Sequence, residues 1–316
     1  MVSGIAFVFP GQGSQYPGMG RSLFEAFPES REIFEQADEA LHMSLSRACF
    51  EGSEAELALT ETTQPAILTV SVAALRALES CGVRPEAAAG HSLGEYSAHV
   101  SAGTFGFPDA VRSVRLRGRF MQEAVPVGEG AMAAIMGLEA AEVDSMCRES
   151  SYGQVVSPAN LNSPGQVVIA GHSGAVDRVM GRAREAGARR SVALPVSAPF
   201  HCALMEPAAQ RLAEVLKDLS FQSPRIPVYA NVDATRVLDG EAARRTLLDQ
   251  VVSPVRWQQV VEAMLAAGIE TMVEVGPGRV LSGLIKRIRK ELNVLNVSDP
   301  EGVENAARAL TGVPQG

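Results

Sequence analysis

Gly90-His91-Ser92-Leu93-Gly94 is a complete G-x-S-x-G, and its flanks decide how it is read. Ala87-Ala88-Ala89 before it is short, apolar and small, as the end of a buried strand would be. Glu95-Tyr96-Ser97-Ala98-His99-Val100-Ser101-Ala102 after it reads as a helix. Strand, sharp turn and helix form the setting in which this pattern presents a nucleophilic serine. The glycines admit the strained turn, so that the Ser92 hydroxyl projects into a cleft over a helix N-terminus. A serine in an ordinary glycine-bordered turn is the other reading of the pentapeptide alone.

Upstream, Ile5 to Phe9 is an apolar run of strand length that ends in Pro10-Gly11-Gln12-Gly13-Ser14-Gln15, as a buried parallel strand entering a glycine loop would. That loop is free to aim amides at a developing oxyanion. In elbow enzymes one donor is the amide after the nucleophile, here Leu93, and the second comes from a separate strand–helix loop, a slot that Gln12 fits. A phosphate loop is disfavoured, because the Walker Lys-Ser/Thr and the G-x-G-x-x-G spacing are both missing.

Helical patterns cover about 19–27, 29–41, 53–59, 65–80 and 108–123. From Gly130 the texture changes. Residues 131–138, 155–161, 167–170 and 191–194 read as strands, with helices at 139–149 and 173–186, in the βαββαβ order of a ferredoxin-like unit. Downstream, helices are expected at 201–218, 242–252, 257–267 and 280–291, and strands at 228–232 and 271–275. No internal repeat or low-complexity segment is found.

The 316 residues are 46% hydrophobic and 20% charged, with a formal net charge of −8, which suits a globular chain and argues against a nucleic-acid binder. The four cysteines, Cys49, Cys81, Cys147 and Cys202, form no C-x-x-C pair, so no metal site and no disulfide framework is expected. The N-terminal run lacks a basic leader, and the most apolar helical segment, 66–78, is interrupted by Thr69, Ser71 and Arg76. A cytoplasmic protein with no membrane contact is expected, and nothing demands more than a monomer.

A serine nucleophile needs a base, and the chain has five histidines. His42 and His172 lie at a helix end and in a turn, and His99 is two turns along the elbow helix. The His91 side chain should point away from that of Ser92, towards the cleft wall. His201, where the irregular Val196-Ser197-Ala198-Pro199-Phe200 enters a helix, is the candidate base, with a buried structural histidine as the other reading.

FPGQGSQ, TQPA, GHSLGEYSA, RLRGRFMQEA, SPANLNSPGQVVIAG, APFHCALM, SPVRW and EVGPGRVLSGLIKR together resemble the malonyl-CoA:acyl carrier protein transacylases of fatty-acid synthesis, in family order from about residue 5 to about 295. The discrete trans-acting acyltransferases of polyketide synthesis share the pattern. The resemblance implies an α/β-hydrolase-like large subdomain (1–128 and 198–316) with an inserted ferredoxin-like small subdomain (129–197) and the active site between them. It implies Ser92 as nucleophile, His201 as base and the Gln12 and Leu93 amides as oxyanion hole. The histidine would be oriented by a main-chain carbonyl at Gln250.

Arg117 would pair with the malonyl carboxylate, which a planar guanidinium binds bidentately; the generic reading of Arg112, Arg115, Arg117 and Arg119 is a solvated helix face. Phe200 would crowd a 2-methyl branch, and malonyl-selective relatives often carry Phe there. His91, Met121, Asn160 and Asn162 would line the cleft, although turn-forming asparagines explain the last two almost as well. No bound cofactor is implied, because CoA is part of the substrate. Malonyl-CoA and holo-acyl carrier protein are the expected partners. The acidic carrier would dock on Lys286 and Arg287, with Arg189 and Arg190 nearby; a solvated amphipathic face is the alternative. The competing functions are a thioester hydrolase, against which Arg117 weighs, and a non-catalytic carrier-docking subunit.

Overall fold

The computed structural model describes residues 4–196 and 198–311. The strands among them are β1 (Ile5–Phe9), β2 (Ala87–Gly90), β3 (Gly130–Met136), β4 (Val156–Ser163), β5 (Gln166–His172), β6 (Arg190–Ala193), β7 (Val228–Tyr229), β8 (Arg236–Val237), β9 (Thr271–Val275) and β10 (Asn293–Val297). They form two sheets. The larger runs β10-β9-β1-β2-β7-β8, parallel from β10 through β7 and closed by the antiparallel β7–β8 pair.

β1 is buried at every position because helices cover both faces of this sheet. Ile5, Phe7 and Phe9 pack with Leu75 and Leu78 of the helix Thr60–Ser80 and with Val303 and Leu310 of the helix Pro300–Thr311. Ala6 and Val8 face Trp257, Met264 and Ile285 instead. The strand order departs in both directions from β1, and the loops after β1 and β2 leave from the carboxyl ends of adjacent parallel strands. That is the crevice where open α/β sheets bind ligands.

The smaller sheet is antiparallel, in the order β4-β5-β3-β6. With helices Ala140–Ser150 and Ser173–Glu185 it makes the βαββαβ, ferredoxin-like unit. Ile135 and Ile169 pack under these helices, whereas Met132, Ala134 and Val168 point from the opposite face into the core that surrounds the cleft. Edge strand β4 is bulged and is stitched to Val255 of the larger unit: Leu161 N–H donates to Val255 O (2.8 Å), and Val255 N–H to Ala159 O (2.9 Å).

Several sequence expectations need correction. The helix expected from residue 65 begins at Thr60 and takes in Pro65; the proline forfeits one backbone bond near the helix start, and burial of nearly the whole helix outweighs that. A helix at Leu45–Glu51 went unread. The helix expected over 201–218 begins only at Glu206, after a short 3-10 turn, because His201 adopts a left-handed φ of 61°. The helix expected to reach residue 291 ends at Ile288, and β10 and the helix Pro300–Thr311 follow it. The strand expected over 228–232 is only Val228–Tyr229. No helix among the described residues is long and apolar enough to cross a membrane.

Candidate active site

The elbow is built by close approach. A Cβ on Gly90 would lie 1.9 Å from the Gly94 carbonyl, and one on Gly94 would lie 2.2 Å from Phe9 O, so neither glycine can be replaced without moving backbone. Ser92 sits between them at φ 53°, a left-handed conformation that costs a non-glycine residue roughly 1–2 kcal/mol. Its hydroxyl is thereby turned into the cleft, where Oγ lies 2.8 Å from His201 Nε2.

His201 Nδ1–H donates to the main-chain carbonyl of Gln250 (2.8 Å), which leaves the Nε2 lone pair facing the serine. Burial and the nearby Arg117 charge push the His201 pKa down to about 3, against the opposing hydrogen bond to Gln250. The imidazole is therefore a neutral acceptor at pH 7, as a general base must be.

Arg117 is 1% exposed. Its Nη1 donates to Gln64 Oε1 (2.8 Å), and its Nη2 to Gln250 Oε1 (2.8 Å) and Ser92 Oγ (3.1 Å); Nε finds no acceptor among the described residues. All of these acceptors are neutral. Arg112, Arg115 and Arg119 point the other way, to Asp109, Leu41 O and Glu123. Arg115 and Arg119, two positions either side of Arg117, turn to the opposite side of the helix, and Arg112 is exposed as well, so the solvated-face reading holds for Arg112 and Arg119, holds in part for the half-buried Arg115, and fails for Arg117. Burial lowers the Arg117 pKa, opposed by Tyr96 and Glu95, from a value so high that the group stays cationic.

These groups line a cavity of about 110 Å³. Gln12, Leu93 and Met121 contribute from the larger unit, Met132, Asn160, Leu194 and Val196 from the smaller one, and Phe200 beside the histidine. The Gln12 and Leu93 amides are engaged by no acceptor among the described residues, and Leu93 caps the N-terminus of the helix Gly94–Ser101, where the backbone dipole favours negative charge.

Residues 6–311 match the acyl transferase domain family. The chain is 50% identical over 302 residues to the malonyl CoA-acyl carrier protein transacylase of Escherichia coli K12, covering 95% of this chain and 98% of the relative. The chain belongs to the acyl transferase family. The solved transacylase of Coxiella burnetii superposes with a TM-score of 0.95 at 47% identity over 97% of this chain and 98% of that one. A malonyl-transacylase solved in complex with its type II polyketide acyl-carrier protein also gives 0.95 at 47% identity, over 97% and 100% of the two chains. The malonyl-CoA:acyl carrier protein transacylases named by the motifs are thus the relatives found, and the two-unit α/β fold is theirs.

The remaining expected residues of this acyl transferase separate into groups. Asn160 lines the cavity, whereas Asn162 works one step back, its Oδ1 paired with His91 Nε2 (2.9 Å). His91 forms part of the cleft wall against Trp257, with ring centroids 5.8 Å apart. The other histidines lie elsewhere: His99 pairs with Thr104, His172 accepts from Val155 N–H, and His42 ends a helix. Arg189 and Arg190 are exposed and form no ion pair among the described residues. Lys286 and Arg287 are exposed but partly committed. Lys286 Nζ donates to the carbonyls of Lys290 (3.3 Å) and Leu292 (2.8 Å), closing its helix, and Arg287 binds Gln166 Oε1 across the two units.

Sequence reasoning missed Gln64, Glu95 and Asn231. Gln64 belongs to the quoted TQPA segment, and Glu95 directly follows the elbow pentapeptide. Asn231 carries no local signal.

Proposed function

We propose that this acyl transferase moves a malonyl group from malonyl-CoA to the phosphopantetheine thiol of holo-acyl carrier protein by a ping-pong route. Ser92 Oγ attacks the thioester carbonyl while His201 Nε2 takes its proton. The oxyanion of the tetrahedral adduct rests on the Gln12 and Leu93 amides, donors of a kind worth roughly 3–4 kcal/mol each. Collapse breaks the C–S bond, and the imidazolium returns the proton to the departing CoA sulfur. The carrier thiol, deprotonated by the same histidine, then attacks the malonyl-serine ester and restores Ser92. This route uses the side chains and main-chain groups of the protein and needs no bound cofactor, the CoA being a portion of the substrate.

Arg117 carries the substrate assignment. It is a fully buried cation beside the nucleophile whose acceptors are all neutral, and an unpaired buried charge is costly unless the substrate completes the pair. A malonyl group ends in such a carboxylate, and acetyl does not. Replacing Arg117 by Ala should lower malonyl transfer about 10²-fold, since truncating one partner of a buried charge pair costs upward of about 2 kcal/mol. Acetyl transfer should be kept or improved. CoA release from malonyl-CoA and acetyl-CoA measures both, and parallel losses on the two substrates would count against the pairing. Phe200 is buried and lines the same cavity, which supports the reading that it crowds a 2-methyl branch.

Mass spectrometry after mixing with malonyl-CoA tests the chemistry: a malonyl adduct should appear on the peptide that contains Ser92 and disappear on adding holo-carrier. Rapid release of free malonate without carrier would favour a hydrolase instead.

Carrier docking belongs to the same reading. A chain of net charge −8 repels an acidic carrier unless cations are gathered locally. Because Lys286 and Arg287 also tie the fold together, charge reversal at Arg189 and Arg190 is the cleaner test. The double Glu variant should raise the apparent KM for carrier and flatten its salt dependence, with acylation by malonyl-CoA unchanged. A matching fall in acylation would assign the patch to CoA phosphates or to stability.

A further inference from the structure

The Ser92 main chain is held from both sides by side chains distant in sequence. Asn231 is fully buried, and its carboxamide bridges the elbow: Oδ1 accepts from Ser92 N–H (2.7 Å), and Nδ2 donates to Gly90 O (2.7 Å). Its own N–H donates to Glu95 Oε2 (2.9 Å). From the other side, Gln250 Nε2 donates to Ser92 O (3.0 Å) and Glu95 Oε2 (2.7 Å) and comes within 3.4 Å of Asn231 Oδ1. Ser92 is strained at φ 53°, and a serine cannot hold that conformation on local preference.

We propose that Asn231 is the positioning residue of the nucleophile. It locks the strained turn and keeps the Ser92 N–H occupied behind the serine, so that the oxyanion site is left to the Gln12 and Leu93 amides. The place demands one acceptor and one donor from a single short side chain, with Ser92 N–H fixing the oxygen and Gly90 O fixing the nitrogen. A carboxylate would set an oxygen against Gly90 O, close to Glu95. Glu95 binds both Asn231 and Gln250, so the same cluster also sets the elbow in register with the helix Gly240–Val252, whose Gln250 carbonyl orients His201. Asn231 acts through Ser92 and His201 without touching substrate. The proposal rests on Ser92 being the acyl acceptor.

Single-turnover acylation by malonyl-CoA tests it, with wild type, Ser92→Ala, Asn231→Ala and Asn231→Asp side by side. Asn231→Ala should acylate about 10²-fold more slowly, the usual consequence of a small misplacement of reacting groups. Malonyl-CoA affinity, measured by calorimetry on Ser92→Ala with and without Asn231→Ala, should be unchanged. Asn231→Asp should regain rate as pH falls, because the neutral acid again both accepts and donates, and Asn231→Ala should show no such recovery. The ionisable groups acting on this corner are Glu95, Arg117 and Asp233; burial pushes the Glu95 carboxyl up to about 8, and the wild-type profile run alongside reports that titration. A wild-type rate in Asn231→Ala, or a rate loss matched by lost malonyl-CoA affinity, would overturn the proposal. If Asn231→Ala does not fold, an Asn231→Asp profile parallel to wild type does the same. Acylation that survives Ser92→Ala would instead overturn the reaction on which it rests.

Discussion

Ser92→Ala should lower malonyl transfer by at least about 10⁴-fold, the largest single effect expected here, because it deletes the acceptor of the proposed first half-reaction. The fold should tolerate the change. Ser92 strain comes from its backbone, and the elbow is held by Asn231, Gln250 and the close approach of Gly90 to Gly94. The variant should therefore unfold near the wild-type temperature and still bind malonyl-CoA, because the proposed carboxylate partner, Arg117, is untouched. CoA release with and without holo-carrier, together with intact-protein mass, checks all of this. Full transfer in the variant, or an adduct mapped outside the Ser92 peptide, would remove the serine from the mechanism.

His201→Ala should slow acylation by about 10²–10⁴-fold, the usual contribution of a positioned general base. Its pH behaviour is the more discriminating measurement. The base works only when neutral, and a pKa lowered to about 3 keeps it neutral as pH falls through the ordinary histidine range. His201 should accordingly add no acid limb to kcat/KM for malonyl-CoA between pH 7 and pH 5, below the Glu95 titration near 8, whereas an unperturbed histidine would lose half its activity near pH 6.5. Removing the Arg117 charge, the second cause of the depression after burial, should move the acid limb upward when the reaction is followed with acetyl-CoA. A wild-type limb near the ordinary histidine value would mean that His201 is more hydrated, or less exposed to the Arg117 charge, than its geometry indicates.

The parts of this protein legible from sequence are those imposed by local backbone demands. The glycine spacing around Ser92 and the glycine loop after β1 mark places where only certain residues fit the chain path, and such places leave dense signatures over a few residues. Apolar runs and amphipathic periods likewise announced most strands and helices, including the βαββαβ unit. The elements that went unread failed for the same reason: Asn293–Val297 is half-exposed along most of its length, and Leu45–Glu51 is too short for a clear period.

What the tertiary structure decided is which distant residues meet. His201 lies 109 positions from Ser92, Asn231 139 and Gln250 158, and no local pattern ties any of them to the elbow. The resemblance could assign roles to His201 and Gln250, but only the packed sheet shows one glutamine serving His201 with its carbonyl while its side chain serves Arg117, Glu95 and Ser92. Burial also reverses the meaning of charges. In sequence, Arg117 was one of four arginines on a helix, and Lys286 and Arg287 were part of a free basic run. In the fold, the first is the buried cation beside the Ser92 hydroxyl, while the other two share their charge with backbone carbonyls and a side chain of the neighbouring unit. Backbone conformation follows from near neighbours in the chain, whereas desolvation and hydrogen-bond partners follow from topology.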